Sequence, residues 1–226
     1  MARIADRRKA IKLRLAGNSY SYIKGQLKVG KGTLSQWLNN IELSNKQIEK
    51  IRNDSLARRI ESYIRTTRLR REKIFETIYS DQKNKLLPLN NRDLLVAGLF
   101  LYLGEGAKSN RSRIQITNTD PSIIKFSIFW MTKILNIEIK KLRVQLHLYN
   151  NMDIENELNF WQNITRLKKE QFIKPYIKTT SSLKIDHPSF GHGTCNLYAC
   201  DTKLKHNILA GIKVILDEIN GRVAQW

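Results

Sequence analysis

The sequence predicts an α+β protein, and three observations carry that reading. Apolar spacing is helical over nearly all of the first 90 residues, it switches to alternation in four separate stretches after Pro88, and helical segments fall between most of those stretches. The expected order is three short helices over 1–44, a basic helical linker over 45–88, and an α+β domain over 89–226 built on a four-stranded antiparallel sheet.

The first helix, 4–15, places Ile4, Ile11 and Leu15 with Ala5 and Ala16 on one stripe. Gly17-Asn18-Ser19 breaks it and offers a cap for the next. A second helix, 21–27, turns Ile23 and Leu27 inward, Lys28-Val29-Gly30 makes a turn, and a third helix over 31–39 carries Leu34, Trp37 and Leu38. Residues 45–85 are helical, polar and basic, with Arg58, Arg59, Arg65, Arg68, Arg70 and Arg71. Too few apolar residues remain there for a separate core, so the segment reads as an exposed linking helix or helix pair. Ile48, Ile51, Leu56, Ile60 and Ile64 add a weak heptad-like spacing.

Beyond Pro88, residues 92–104 form an almost continuously apolar helix. Strands are expected at 112–118, 142–149, 172–178 and 194–200, and helices at 121–135, 153–167 and from Asp201 to 219. Asp120 caps the first of these helices, with Pro121 at its first position. Segment 179–193 is the one long loop.

The chain has 226 residues, with 40 Lys+Arg against 20 Asp+Glu, for a formal charge of +20. Such an excess opposes compaction and points to an anionic partner, nucleic acid first. The charge is concentrated early: residues 1–90 hold 21 basic and 8 acidic residues. No apolar run approaches the ~18 residues of a spanning helix, so no membrane partner is expected. The stretch 1–14 mixes charged with apolar residues and lacks a secretion-signal core, which makes a cytoplasmic, nucleoid-associated location the expectation. Cys195 and Cys200 are too few for a disulfide framework. Together with His187 and His192 they also lack standard zinc spacing, so no zinc is expected. Phosphate loops, Ser-His-Asp signatures and dinucleotide fingerprints are missing as well.

The run from Ser19 to Leu38 resembles the helix-turn-helix of resolvases and invertases. Small Gly25 would let two helices approach, Val29 would plug the angle between them, and the third helix would offer short polar groups. That resemblance implies double-stranded DNA as partner, with Thr33, Ser35 and Gln36 toward base edges and Lys31 toward a phosphate. The turn position usually held by Gly in that family is Lys28 here.

Ala97-Gly98-Leu99-Phe100-Leu101-Tyr102-Leu103-Gly104-Glu105-Gly106 resembles the signature of the LAGLIDADG superfamily, in which two such helices pack side by side with an acid at each end. The resemblance spans roughly 92–219 and places Glu105 at the metal-binding acid and Gly106 at the terminal glycine. Phe100 and Leu103 depart from the family's small inner residue and its common Asp. Paired acids can hold divalent cations against phosphates and activate water. With one such motif in the chain, the resemblance implies a homodimer pairing the 94–104 helices, Mg²⁺ if the protein cuts DNA, and Lys108 or Lys178 assisting the attacking water.

Each expected strand has a polar face free of Asp and Glu. The residues are Arg113, Gln115 and Thr117 in the first strand, and Arg143, Gln145, His147 and Tyr149 in the second. Lys174, Tyr176 and Lys178 follow in the third, opposite Ile173 and Ile177, with Thr194, Asn196 and Tyr198 in the fourth. LAGLIDADG proteins bind DNA with such a sheet. Two functions stay open: a homodimeric homing endonuclease, or a transcriptional regulator that keeps the fold and does not cut.

Overall fold

The computed structural model describes residues 4–50, 55–109, 112–179 and 191–223. The chain divides into two compact units, Met1–Leu87 and Pro88–Trp226, each with its own apolar core.

In the first unit, α1 (Ile4–Leu15), α2 (Tyr20–Leu27) and α3 (Lys31–Leu38) surround Ala10, Ile23, Val29, Leu34 and Leu38. The Ser19 hydroxyl starts α2 by accepting from the Tyr22 N–H at 3.2 Å. Lys28 ends α2 in the left-handed region (φ 49°, ψ 38°), a conformation that favours glycine. Val29 then turns into the core, where it fills the angle between α2 and α3.

Two expectations fail here. A side chain at Gly25 would meet nothing within 4 Å, so this glycine is not needed for close helix approach. Leu15 is 62% exposed, and Arg14 takes the inward place at 2%. The Arg14 guanidinium lies over the Tyr20 ring at 4.7 Å and donates to the carbonyls of Asn18 and Ile41 at 3.3 and 3.4 Å. Its aliphatic stem packs as an apolar chain would, while the head finds oxygen partners that a leucine could not use.

The basic segment forms α4 (Asn45–Lys50) and one long helix, α5 (Ser55–Leu86), both within this unit. Gln47 ties α4 to the end of α1 by donating to the Leu15 carbonyl at 2.9 Å.

The second unit comprises α6 (Asn91–Glu105), β1 (Arg113–Asn118), α7 (Pro121–Phe129), β2 (Arg143–Tyr149), α8 (Ile154–Thr165), β3 (Phe172–Lys178), β4 (Thr194–Cys200) and α9 (Thr202–Val223). α7 widens into a π-helical turn over Trp130–Ile134. Strand order is β1-β4-β2-β3, which places the last strand between the first two. Alternation buries Ile114, Ile116, Val144, Leu146, Leu148, Cys195, Leu197 and Ala199 on one sheet face, against Leu99, Tyr102, Ile124, Trp130, Trp161, Ile208 and Ile212 from the helices.

The sheet is mixed rather than antiparallel. β1–β4 and β4–β2 are antiparallel, but β2 and β3 run parallel. Alternation reports faces and is silent on direction. Here α8 carries the chain back between β2 and β3, the crossover that a parallel pair requires.

β3 also slips against β2. Gln145 pairs with Ile173 but His147 with Tyr176, so three steps on β3 match two on β2 around Pro175. The extra residue moves Ile173 beside Gln145 on the polar side and leaves Ile177 beside Leu148, the reverse of one shared apolar face for the two isoleucines. Lys174 falls within this irregularity, where its carbonyl accepts from Gln145 Nε2 at 3.2 Å.

The start of β4 is pinned from α8. Trp161 Nε1 donates to the His192 carbonyl at 2.7 Å, the His192 ring stacks on Phe160, and His192 Nδ1 meets the buried Glu157 carboxylate at 3.1 Å. Of the expected loop 179–193, residues 180–190, including His187, lie outside the described residues.

Candidate functional site

α6 begins with a reciprocal cap. Asn90 Oδ1 accepts from the Arg92 and Asp93 N–H groups, and Asp93 accepts from the Asn90 N–H. Gly98 and Gly106 in this motif both have steric reasons. A Cβ on Gly98 would lie 1.9 Å from Trp130 Nε1, and one on Gly106 would lie 2.4 Å from the Tyr102 carbonyl. Gly106 passes tightly over Tyr102 and bridges to Ile116, which leads the chain from the helix into the sheet. Gly104 faces open space.

Glu105, the last residue of α6, is exposed. A carboxylate at a helix C-terminus sits in the field of unpaired carbonyls, so the position favours a bound cation. Lys108 supplies one positive charge nearby, its Nζ donating to the Leu103 carbonyl. Among the described residues no group of three His, Cys, Asp or Glu side chains could hold a metal. Glu105 alone fits half of a divalent-cation site, since such ions take several oxygen ligands.

Sequence reasoning missed Lys205. Its side chain is 1% exposed, and Nζ donates to Tyr102 Oη at 2.6 Å, to the Ala107 carbonyl at 2.5 Å and to the Arg113 carbonyl at 3.1 Å. The three donors of the ammonium are thereby used. Tyr102 Oη in turn donates to the Ala107 carbonyl at 2.8 Å. Burial, and secondarily the charge of Lys108, lowers the Lys205 pKa, while burial raises that of Tyr102. This network clamps the turn just after Glu105 onto α9. The signal was available: Lys205 stands three residues before Ile208 on the stripe that continues to Ile212.

The second feature is the polar face of the sheet. The pairing register aligns Gln115, Tyr198 and Arg143 in one row, Thr117, Asn196, Gln145 and Ile173 in the next, and Thr194, His147 and Tyr176 in a third. Thr117 Oγ1 donates to Asn196 Oδ1 at 2.6 Å, and Asn196 Nδ2 donates to the Gln145 carbonyl at 3.0 Å. Gln115 Nε2 reaches Thr117 Oγ1 at 3.2 Å. Arg113 lies over the Tyr198 ring at 4.1 Å and Lys178 over Tyr149 at 4.7 Å. His147 packs against Tyr176 at 5.1 Å, and its pKa is lowered, first by burial and then by the Lys178 charge. The four strands contain no Asp or Glu. The face therefore offers amide, hydroxyl and cationic groups already held in place by their neighbours.

The third feature is α3, on the first unit. Lys31, Ser35 and Gln36 are exposed on it and Thr33 is half-buried, while Leu34 and Leu38 face the core.

Against protein-family models, curated proteins and solved structures, the chain has no match. Among the described residues no helix is long and apolar enough to cross a membrane. Cys195 and Cys200 point to opposite sides of β4, the first buried and the second exposed.

Proposed function

We propose that this chain is a sequence-specific double-stranded DNA-binding protein with a LAGLIDADG-like second unit and a helix-turn-helix in its first. The observation that carries the reading is the acid-free sheet face, where Arg113, Arg143 and Lys178 flank the ordered Gln115–Thr117–Asn196 array. Cations there suit phosphates, and the amides and hydroxyls suit base edges. α3 would supply a second reading surface through Thr33, Ser35 and Gln36, with Lys31 on the backbone. A formal charge of +20 supports the same class of partner.

In its catalytic form the protein is a homodimeric homing endonuclease. Two copies would pair along α6, whose exposed side carries Leu95 and Phe100 beside Ala97 and Gly104. Each copy brings one Glu105, which together with Gly106 at the helix end would supply the two halves of an Mg²⁺ site. Bound there, the metal would polarise the phosphate and lower the pKa of water. Lys108, three residues after Glu105 in the chain, is better placed to assist than Lys178, which belongs to the sheet face. The lone carboxylate favours the second reading, a regulator that binds DNA without cutting it, inside a cytoplasmic, nucleoid-associated protein.

The test is to enrich a preferred duplex from a random pool in Ca²⁺, then to incubate it in Mg²⁺ with wild type and Glu105→Gln. Double-strand cuts at one position, lost in the variant, establish the endonuclease. Tight specific binding with no cuts from either protein establishes the regulator. Binding that ignores sequence and salt overturns both.

A further inference from the structure

Among the described residues, nothing covers the C-terminal half of α5. Every residue from Leu69 to Leu87 is exposed, including Ile74, Phe75, Ile78 and Tyr79, each at least half open to solvent. Four large apolar side chains on adjoining turns, open to water, carry a cost that a partner would remove.

The spacing says what kind of partner. Ile60, Ile64, Thr67, Arg71, Ile74, Ile78, Asp81 and Lys85 recur at alternating steps of four and three, the seam of a two-stranded coil. The apolar centre of the exposed part is Ile74 and Ile78, with Arg71 on one side and Asp81 on the other. Among the described residues neither of these charges has an ion-pair partner in its own chain, since Glu72 takes Arg68.

We propose that α5 pairs antiparallel with α5 of a second copy, about a two-fold axis at the level of Glu76. In that register Ile74 faces Ile78 of the second copy, and Arg71 faces its Asp81, twice by symmetry. The stacked Phe75 and Tyr79 rings, 6.4 Å apart, widen the apolar seam on one flank. A parallel pairing would instead set Arg71 against Arg71 and Asp81 against Asp81, which is repulsive. Charge complementarity thus selects both the occupant and its direction. This contact is separate from the α6 face and does not depend on the DNA-binding reading.

Full-length protein in a Cys200→Ser background, without nucleic acid, tests it with a short bismaleimide. Thr77 lies beside the axis, so Thr77→Cys should cross-link to itself. Arg70→Cys and Asn84→Cys should each fail alone, because their own copies would be about 18 and 24 Å apart along the helix at ~1.5 Å per residue, and should link when mixed. Ile74→Glu with Ile78→Glu should abolish the Thr77→Cys product while circular dichroism stays unchanged. Arg71→Asp or Asp81→Arg alone should cut the linked fraction severalfold, and the two together should restore it. No linking in any variant, self-linking at all three positions, or absence of rescue overturns the proposal.

Discussion

Gly98 lies against the Trp130 indole so closely that a methyl group on it would come 1.9 Å from Nε1 and within 2.2 Å of two ring carbons. The indole is fully buried, and among the described residues Nε1 has no hydrogen-bond partner. Contact with the α6 backbone fixes the ring, and the π-helical turn sets it there. Gly98→Ala should therefore destabilise the second unit by about 1–3 kcal/mol or more, the usual cost of overpacking a rigid site. Urea denaturation followed by tryptophan fluorescence measures it. An unchanged midpoint would mean that the two elements separate freely.

Lys205→Met should also destabilise the protein, for a different reason. It takes the Lys205 donor from the Arg113 carbonyl, while the Ala107 carbonyl keeps Tyr102 Oη, at about 1–3 kcal/mol for a buried unsatisfied group. If the endonuclease reading holds, cleavage in Lys205→Met should fall further than the lost folded fraction explains, because the turn after Glu105 loses its clamp. Single-turnover cleavage at saturating enzyme separates the two effects.

DNA affinity should rise as pH falls through the lower end of the histidine range. His147 is held neutral in the free protein by burial and by Lys178, since its pKa lies below the ordinary value. Phosphate opposite it would raise that pKa, so binding takes up a proton and is favoured by acid. His147→Gln should flatten the profile between about pH 5 and 7. Fluorescence anisotropy at fixed ionic strength reads this directly, and an equal slope in both proteins would remove His147 from the interface.

Thr33→Ala and Gln36→Ala should relax sequence preference by about 1–3 kcal/mol per lost base contact while leaving the salt slope alone. Arg113→Gln should reduce that slope by about 0.9, the value for one phosphate. Competition binding against shuffled duplexes across a salt series distinguishes the two patterns.

Cys200 should react with an aromatic disulfide in the native state, and Cys195 only after unfolding. Burial pushes the Cys195 thiol well above its ordinary pKa. Two fast thiols would contradict the burial of the inner side of β4.

The order of elements was legible because each carries its own period. α6, the four strands and α9 begin and end within a few residues of where apolar spacing and capping residues put them. The polar faces of β1, β2 and β4 were legible for the same reason. The parallel direction of β3 was not, because its cause is the path of the chain through α8. Ile173 was misplaced by a single extra residue near Pro175, which reverses every side chain downstream. Arg14 and Lys205 were missed because a long cationic chain on an apolar stripe reads as a solvated exception, and only the folded backbone supplies the carbonyls that make each an internal residue.

The sheet order has a consequence for synthesis. β4 lies between β1 and β2 yet leaves the ribosome last of the four, so β1 has no neighbouring strand until residue 200 has been made. The core of the first unit, from Ala10 to Leu38, is complete long before then. A nascent chain can thus hold a finished helical unit while the apolar sides of β1 and β2 wait for β4. Nascent chains stalled before Thr194 should be the ones that chaperones retain and that aggregate on release.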